Sequence, residues 1–281
     1  MQQVRVKARD GYPLGATLFH PQVPQRRAIV IHAAAGVPQS YYAGFASFLA
    51  ECGFTVLTFD YRGIGSSRPD ALRGFGATMR EWAVLDAAGA LDFLESEAPG
   101  VPIGVVGHSF GGQCLGIVPG NERYAAVLAV ASQSGYWCYW SGGARVGMWL
   151  ATHLVLPGLS RLVGYFPARR LGQGEDLPAG VAIEWARWCR NPDYIVGALA
   201  AHPQYARFQA PMRLVWLADD RYAPLAAAKA LLSLYPAAQT ELCEVQPADL
   251  GERNIGHFGF FRERFRATLW TDAANWLTEK F

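Results

Sequence analysis

The segment Val105-Val106-Gly107-His108-Ser109-Phe110-Gly111-Gly112 runs an apolar stretch into a helix-compatible one through a serine flanked by glycines. A strand that ends there and a helix that starts there require a sharp turn, which lifts the Ser109 hydroxyl out of the fold. Gly107 and Gly111 suit such a turn, because packing between strand and helix leaves little room for Cβ atoms. Five loosely specified positions also recur by chance. The same residues fit a glycine-rich strand–helix turn with a bystander serine, so the rest of the chain has to decide.

Strand and helix signals alternate along most of the sequence. Val4, Val6 and Ala8, then Leu14, Ala16 and Leu18, alternate on either side of an Asp10-Gly11 turn and predict an antiparallel hairpin. Short apolar runs at Ala28–Ile31, Phe54–Phe59, Ile103–Val106, Ala125–Val130 and Met212–Leu217 read as buried strands, with Glu241–Val245 as a last one. Helices are expected over Tyr42–Glu51, from the capping box Thr78-Met79-Arg80-Glu81 to about Glu97, and at the C-terminus around Phe261, Phe265, Leu269 and Trp276. This order predicts an α/β fold with a mostly parallel central sheet flanked by helices.

Ser132 to Phe208 breaks the rhythm. It has no comparable strand signal, yet it carries five of the nine tryptophans: Trp137, Trp140, Trp149, Trp185 and Trp188. A segment this long is not a structureless loop. The expectation is a helical cap over 132–208, inserted before the strand at Met212, with the core built from 1–131 and 209–281. Its seven arginines outnumber its four acids, which leaves open an acidic group on the substrate.

With 51% hydrophobic and 17% charged residues, 281 residues can bury one large core. The net charge of +2 gives no reason to expect nucleic acid as a partner. Five cysteines without a C-x-x-C pattern predict free thiols and no metal centre. No uninterrupted apolar run reaches the roughly 18 residues a membrane span needs, and Met1–Asp10 lacks an apolar leader core, so the expected location is cytoplasmic. Oligomeric state is not readable.

A serine nucleophile needs a base and a group that orients it. Of six histidines, His257 sits between glycines after the last strand signal, in a loop fit to present a side chain. Asp219 and Asp220 follow the strand ending at Leu217, and either could orient that histidine or cap the helix after Pro224. The chain order is Ser, Asp, His.

These residues, in this order, resemble the α/β-hydrolase superfamily, in particular bacterial predicted hydrolases of the serine aminopeptidase and monoacylglycerol lipase-like group. An acid followed four residues later by proline recurs in that family, which favours Asp220 (Asp220 to Pro224) over Asp219. The resemblance implies Ser109, Asp220 and His257 as catalytic residues, with the backbone N–H groups of Ala34 and Phe110 as the oxyanion hole. It also makes Asp60-Tyr61-Arg62-Gly63-Ile64-Gly65-Ser66-Ser67 a structural loop. No cofactor is implied. The expected activity is hydrolysis of an ester, thioester or amide of a small apolar or aromatic molecule. His32-Ala33-Ala34-Ala35-Gly36 departs from the commoner histidine–glycine loop and resembles homoserine acyltransferase-like members, so acyl transfer is the alternative. A non-catalytic ligand-binding protein on the same fold is the third reading.

Overall fold

The computed structural model describes residues 1–281. Ten strands form in chain order: β1 (Gln2–Lys7), β2 (Pro13–Phe19), β3 (Ala28–His32), β4 (Thr55–Phe59), β5 (Ile103–His108), β6 (Tyr124–Val130), β7 (Tyr165–Phe166), β8 (Leu177–Pro178), β9 (Met212–Leu217) and β10 (Thr240–Val245). Eight of them make one sheet in the order β1-β2-β4-β3-β5-β6-β9-β10. β2 pairs antiparallel with both neighbours, and every other pairing is parallel. The Asp10-Gly11 turn closes the expected hairpin, with Val4 opposite Ala16 and Val6 opposite Leu14.

β3 and β5 are buried along their whole length, which is why they read as continuous apolar runs rather than alternating ones. Parallel strands require crossovers, and the helices at Ala43–Glu51, Met79–Glu97 and Thr271–Lys280 supply cover for the sheet. The Thr78 capping box forms in full. Thr78 Oγ1 accepts from the Glu81 N–H at 3.3 Å, and Glu81 Oε2 accepts from the Thr78 N–H at 2.8 Å. Near the C-terminus the regular helix starts later than its apolar spacing suggests. Phe261 and Phe265 sit in short 3-10 turns, and Phe261 packs against Phe45, Phe260 and Tyr42.

Between β6 and β9 the chain is mainly helical, with one small antiparallel pair, β7 with β8. The helices at Gly142–Leu150 and Leu156–Val163 join through a wide π-type turn over Ala151–Val155. Together they make one continuous helix of 22 residues, Gly142–Val163, long and apolar enough by composition to cross a membrane. Its sequence is not an uninterrupted apolar run, since Arg145, Thr152, His153, Ser160 and Arg161 lie within it. The fold keeps those residues on one helix without interrupting it.

Candidate active site

β5 carries the chain to the C-terminal edge of the sheet, where Ser109 adopts φ 49° and ψ −114°. A non-glycine residue with positive φ costs of order 1–3 kcal/mol and persists only when its surroundings hold it. Here they do. The Ser109 N–H donates to the Val130 carbonyl of β6 at 2.9 Å. Its carbonyl accepts from the N–H groups of Gly112 and Gln113 at 3.0 and 3.1 Å and from Ser132 Oγ at 3.0 Å. A Cβ at Gly111 would overlap the His32 carbonyl, and one at Gly107 would strike the backbone of Gly112. Those glycines let β3, β5 and the turn close up. The helix that follows is a single turn, Phe110–Gln113, so the Phe110 N–H opens it without an intrahelical acceptor.

The two aspartates after β9 divide their work. Asp220 Oδ2 lies 2.7 Å from His257 Nδ1, and its Oδ1 accepts from the Tyr222 N–H at 2.8 Å. The Asp220 carboxylate is fully buried and the His257 ring nearly so. Asp219 turns toward the histidine loop instead. Its oxygens accept from the backbone N–H groups of Ile255 at 2.8 Å and Gly256 at 3.0 Å. One aspartate thus faces the ring, and the other pins the backbone just before it. The side-chain hydrogen bonds of His257 stop at Asp220, and none reaches Ser109 Oγ. Such a contact is commonly long before substrate binds.

A second polar chain runs beneath these residues. The Ala34 N–H donates to the Tyr42 hydroxyl at 2.9 Å, and that oxygen lies 2.8 Å from His108 Nδ1. His108 Nε2 lies 3.0 Å from the His257 carbonyl. A carbonyl only accepts, so His108 carries its proton on Nε2. Nδ1 is then an acceptor, and the Tyr42 hydroxyl must donate to it. Burial, with the His257 ring alongside, pushes the His108 pKa well below the usual histidine range and keeps it neutral. Burial also raises the Tyr42 phenol well above its ordinary value, so it keeps the proton it donates.

The Ala34 N–H, expected to face an oxyanion, donates to the Tyr42 hydroxyl in this structure. The turn Ala34–Val37, closed by the Val37 N–H on the Ala34 carbonyl at 3.1 Å, feeds a 3-10 turn that brings Tyr42 under the loop. In the sequence Tyr42 marks only a helix start and His108 only a place in the turn at Ser109. No local pattern joins residues 34, 42, 108 and 257; the sheet order does.

The insertion reaches this edge. The Trp140 indole N–H donates to the Arg221 carbonyl at 3.0 Å, beside Asp220. The Glu175 N–H donates to the Gly36 carbonyl at 2.8 Å, in the loop after β3. The Tyr222 hydroxyl, 3.3 Å from Gln173 Oε1, links the loop that carries Asp220, the acid loop, to the segment that carries Glu175. Tyr222 and Phe258 flank the His257 ring, with centroids 5.2 and 5.0 Å away. No group of side chains here could hold a metal ion.

Among curated proteins no sequence matches this chain significantly. Solved structures share its fold. A soluble variant of monoglyceride lipase from Saccharomyces cerevisiae, in complex with a substrate analog, superposes with a TM-score of 0.68 at 16% identity, covering 100% of this chain and 96% of that one. Est1E from Butyrivibrio proteoclasticus with bound ferulic acid gives 0.64 at 15% identity, covering 99% and 98%. DcsB in complex with its substrate analogue gives 0.67 at 18% identity, covering 100% and 99%. The family model for the alpha/beta hydrolase family matches residues 28–267, nearly the whole chain. The chain belongs to the alpha/beta hydrolase family.

Proposed function

We propose that the protein is a serine hydrolase of small carboxylic esters, acting through an acyl-enzyme on Ser109. The observation that carries this reading is the buried 2.7 Å contact between Asp220 Oδ2 and His257 Nδ1 at the sheet edge where Ser109 is held in a strained turn. Ser109 Oγ attacks the ester carbonyl as His257 Nε2 takes its proton. His257 then gives that proton to the leaving alcohol, and the same base activates water to release the acid. Asp220 fixes the Nδ1–H tautomer and stabilises the imidazolium. Asp219 is a positioning residue that sets the histidine loop.

Two N–H groups support charge on the carbonyl oxygen. One is that of Phe110. The other is that of Ala35, which makes no hydrogen bond within the protein, unlike its neighbour Ala34. Losing one such donor costs roughly two to three orders of magnitude in rate. The residues from 132 to 208 act as a cap, and the aromatic side chains of Tyr222 and Phe258 beside His257 favour an apolar or aromatic acyl group.

The test is turnover of p-nitrophenyl esters of increasing acyl length, beside acyl-CoA and aminoacyl amide substrates. Ester turnover should dominate, and Ser109→Ala should abolish both turnover and labelling by a fluorophosphonate probe. Labelling that persists in Ser109→Ala would remove the assignment.

A further inference from the structure

Helix Gly142–Val163 is packed inside out. Thr152, Leu156, Pro157 and Ser160 are its buried residues, and two of these four are hydroxyls. The outward row has the same four-residue spacing: Val146, Leu150, Leu154 and, past Gly158, Leu162. Their exposures are 60%, 42%, 56% and 82%. The outward row runs on across the π-type turn at Ala151–Val155. No residue of its first half, Gly142–Leu150, is buried at all. Six of the protein's eleven exposed large apolar residues lie on this helix. A contiguous apolar face of this kind marks a surface that something else covers.

Charge indicates what covers it. From Ser132 through Gly174 the chain has no aspartate or glutamate, but it has Arg145, Arg161, Arg169 and Arg170. Arg145 and Arg161 flank the apolar row, and neither forms an ion pair. Arg145 lies instead over the Trp137 ring, 5.0 Å from its centroid. A second copy of the chain docked on this face would bring like charges together. An anionic lipid layer offers hydrocarbon for the leucines and acidic head groups for the arginines. Half-buried Tyr136, Trp137 and Tyr139 lie just before the helix, where amphipathic rings suit a head-group boundary.

We propose that this helix is a docking surface for anionic phospholipid bilayers, lying along the interface rather than across it. Its inner row is packed against the rest of the insertion, so it is not free to span. At about 1.5 Å per residue the helix offers a contact line of about 33 Å. The line starts beside Trp140, which is tied to the acid loop, so docking sets the edge that carries Ser109 against the membrane. The proposal stands apart from the chemistry assigned to Ser109, and it is tested on protein that cannot turn over.

The Ser109→Ala protein is mixed with vesicles of phosphatidylcholine alone or with phosphatidylglycerol. Co-sedimentation and a blue shift of tryptophan emission are read, and sedimentation velocity gives the oligomeric state. Binding to the phosphatidylglycerol vesicles is expected. Leu150→Glu with Leu154→Glu should weaken it at least ten-fold while leaving Tm unchanged. Arg161→Ala should weaken it about five-fold on anionic vesicles only. Three results would overturn the proposal. One is absence of binding to both vesicle types. Another is equal binding by the leucine double variant. The third is a dimer in solution that the double variant converts to monomer, which would make a second copy the occupant.

Discussion

The C-terminal edge of the sheet and the insertion above it solve opposite problems. At the edge, polar groups are buried and paired. Asp219, Asp220, His257, His108, Tyr42 and the Ala34 N–H all find partners within 3.0 Å. On the outer helix of the insertion, large apolar groups face outward while Thr152 and Ser160 face in. A buried polar network is costly to leave incomplete, so it tolerates little change. An exposed apolar row loses little when one member is removed. The same chain therefore holds a region where single atoms decide the outcome and a region where none does until a partner arrives. Effects of substitution should rank accordingly.

The largest effects belong to the edge. Ser109→Ala should lower kcat by roughly 10⁴- to 10⁶-fold, and Asp220→Asn by about 10⁴-fold through loss of the correct imidazole tautomer. Asp219→Asn removes only acceptors for backbone N–H groups and should cost about ten-fold. Steady-state kinetics on one ester distinguishes them. If Asp219→Asn fell below Asp220→Asn, the division of labour between the aspartates would be reversed.

That division was only half legible in the sequence. The strands, the capping box and the turn at Ser109 could be read because each depends on neighbours: alternation, a four-residue box, glycines around one serine. In the sequence Asp220 is favoured by its spacing from Pro224, whereas its 2.7 Å contact with His257, 37 residues on, exists only in the fold. Tyr42 was not legible in the same way. Its value lies in touching Ala34 and His108, and that contact exists only because β3 and β5 are neighbours in the sheet. The insertion was legible as helical and aromatic, but not in its orientation. A helical pattern shows which residues share a face, not which face meets the core, and here the less apolar row went inward.

Stability separates the regions next. Leu91, fully buried on the helix Ala88–Glu97, should cost about 2–5 kcal/mol on truncation to alanine. The buried histidines then give the core a pH limit. His32, pushed down to about 3 by burial, and His108, also well below its usual range, stay neutral in the folded protein. In the unfolded chain both titrate near 6.5. Below that pH the unfolded state binds more protons than the folded one, so stability falls as pH falls. At pH 5 each histidine accounts for a loss of about 2 kcal/mol relative to pH 7. Asp86 opposes them. Burial raises its carboxyl to about 6, so the folded state takes up a proton in the same window and recovers about 1 kcal/mol. Urea denaturation at the two pH values should show the net loss, and His32→Gln should remove about half of the histidine contribution.

Tyr42→Phe tests the buried chain itself. It deletes the donor to His108 Nδ1 and the acceptor for the Ala34 N–H, leaving two buried groups unpaired at about 1–3 kcal/mol each. A structural role alone would lower Tm and leave kcat of the folded enzyme intact. Positioning of the loop after β3 and of the histidine loop should also lower kcat, about ten-fold, with KM nearly unchanged.

The smallest effect is the most diagnostic for the insertion. Leu154 is 56% exposed, and in a folded protein free in solution its side chain beyond Cβ buries little apolar area. Leu154→Ala should therefore change unfolding free energy by less than about 0.5 kcal/mol. Set beside Leu91→Ala, the same substitution at two leucines of the same protein should differ several-fold in cost. A Leu154→Ala cost approaching that of Leu91→Ala would show that the outer row is already covered in solution. Urea denaturation at two protein concentrations locates that cover. A cost that grows with concentration places a second copy on the helix, and one that does not places the cover within the chain. A near-zero cost at both concentrations leaves the outer row bare, and the sheet edge and the insertion then remain as different as their side chains make them.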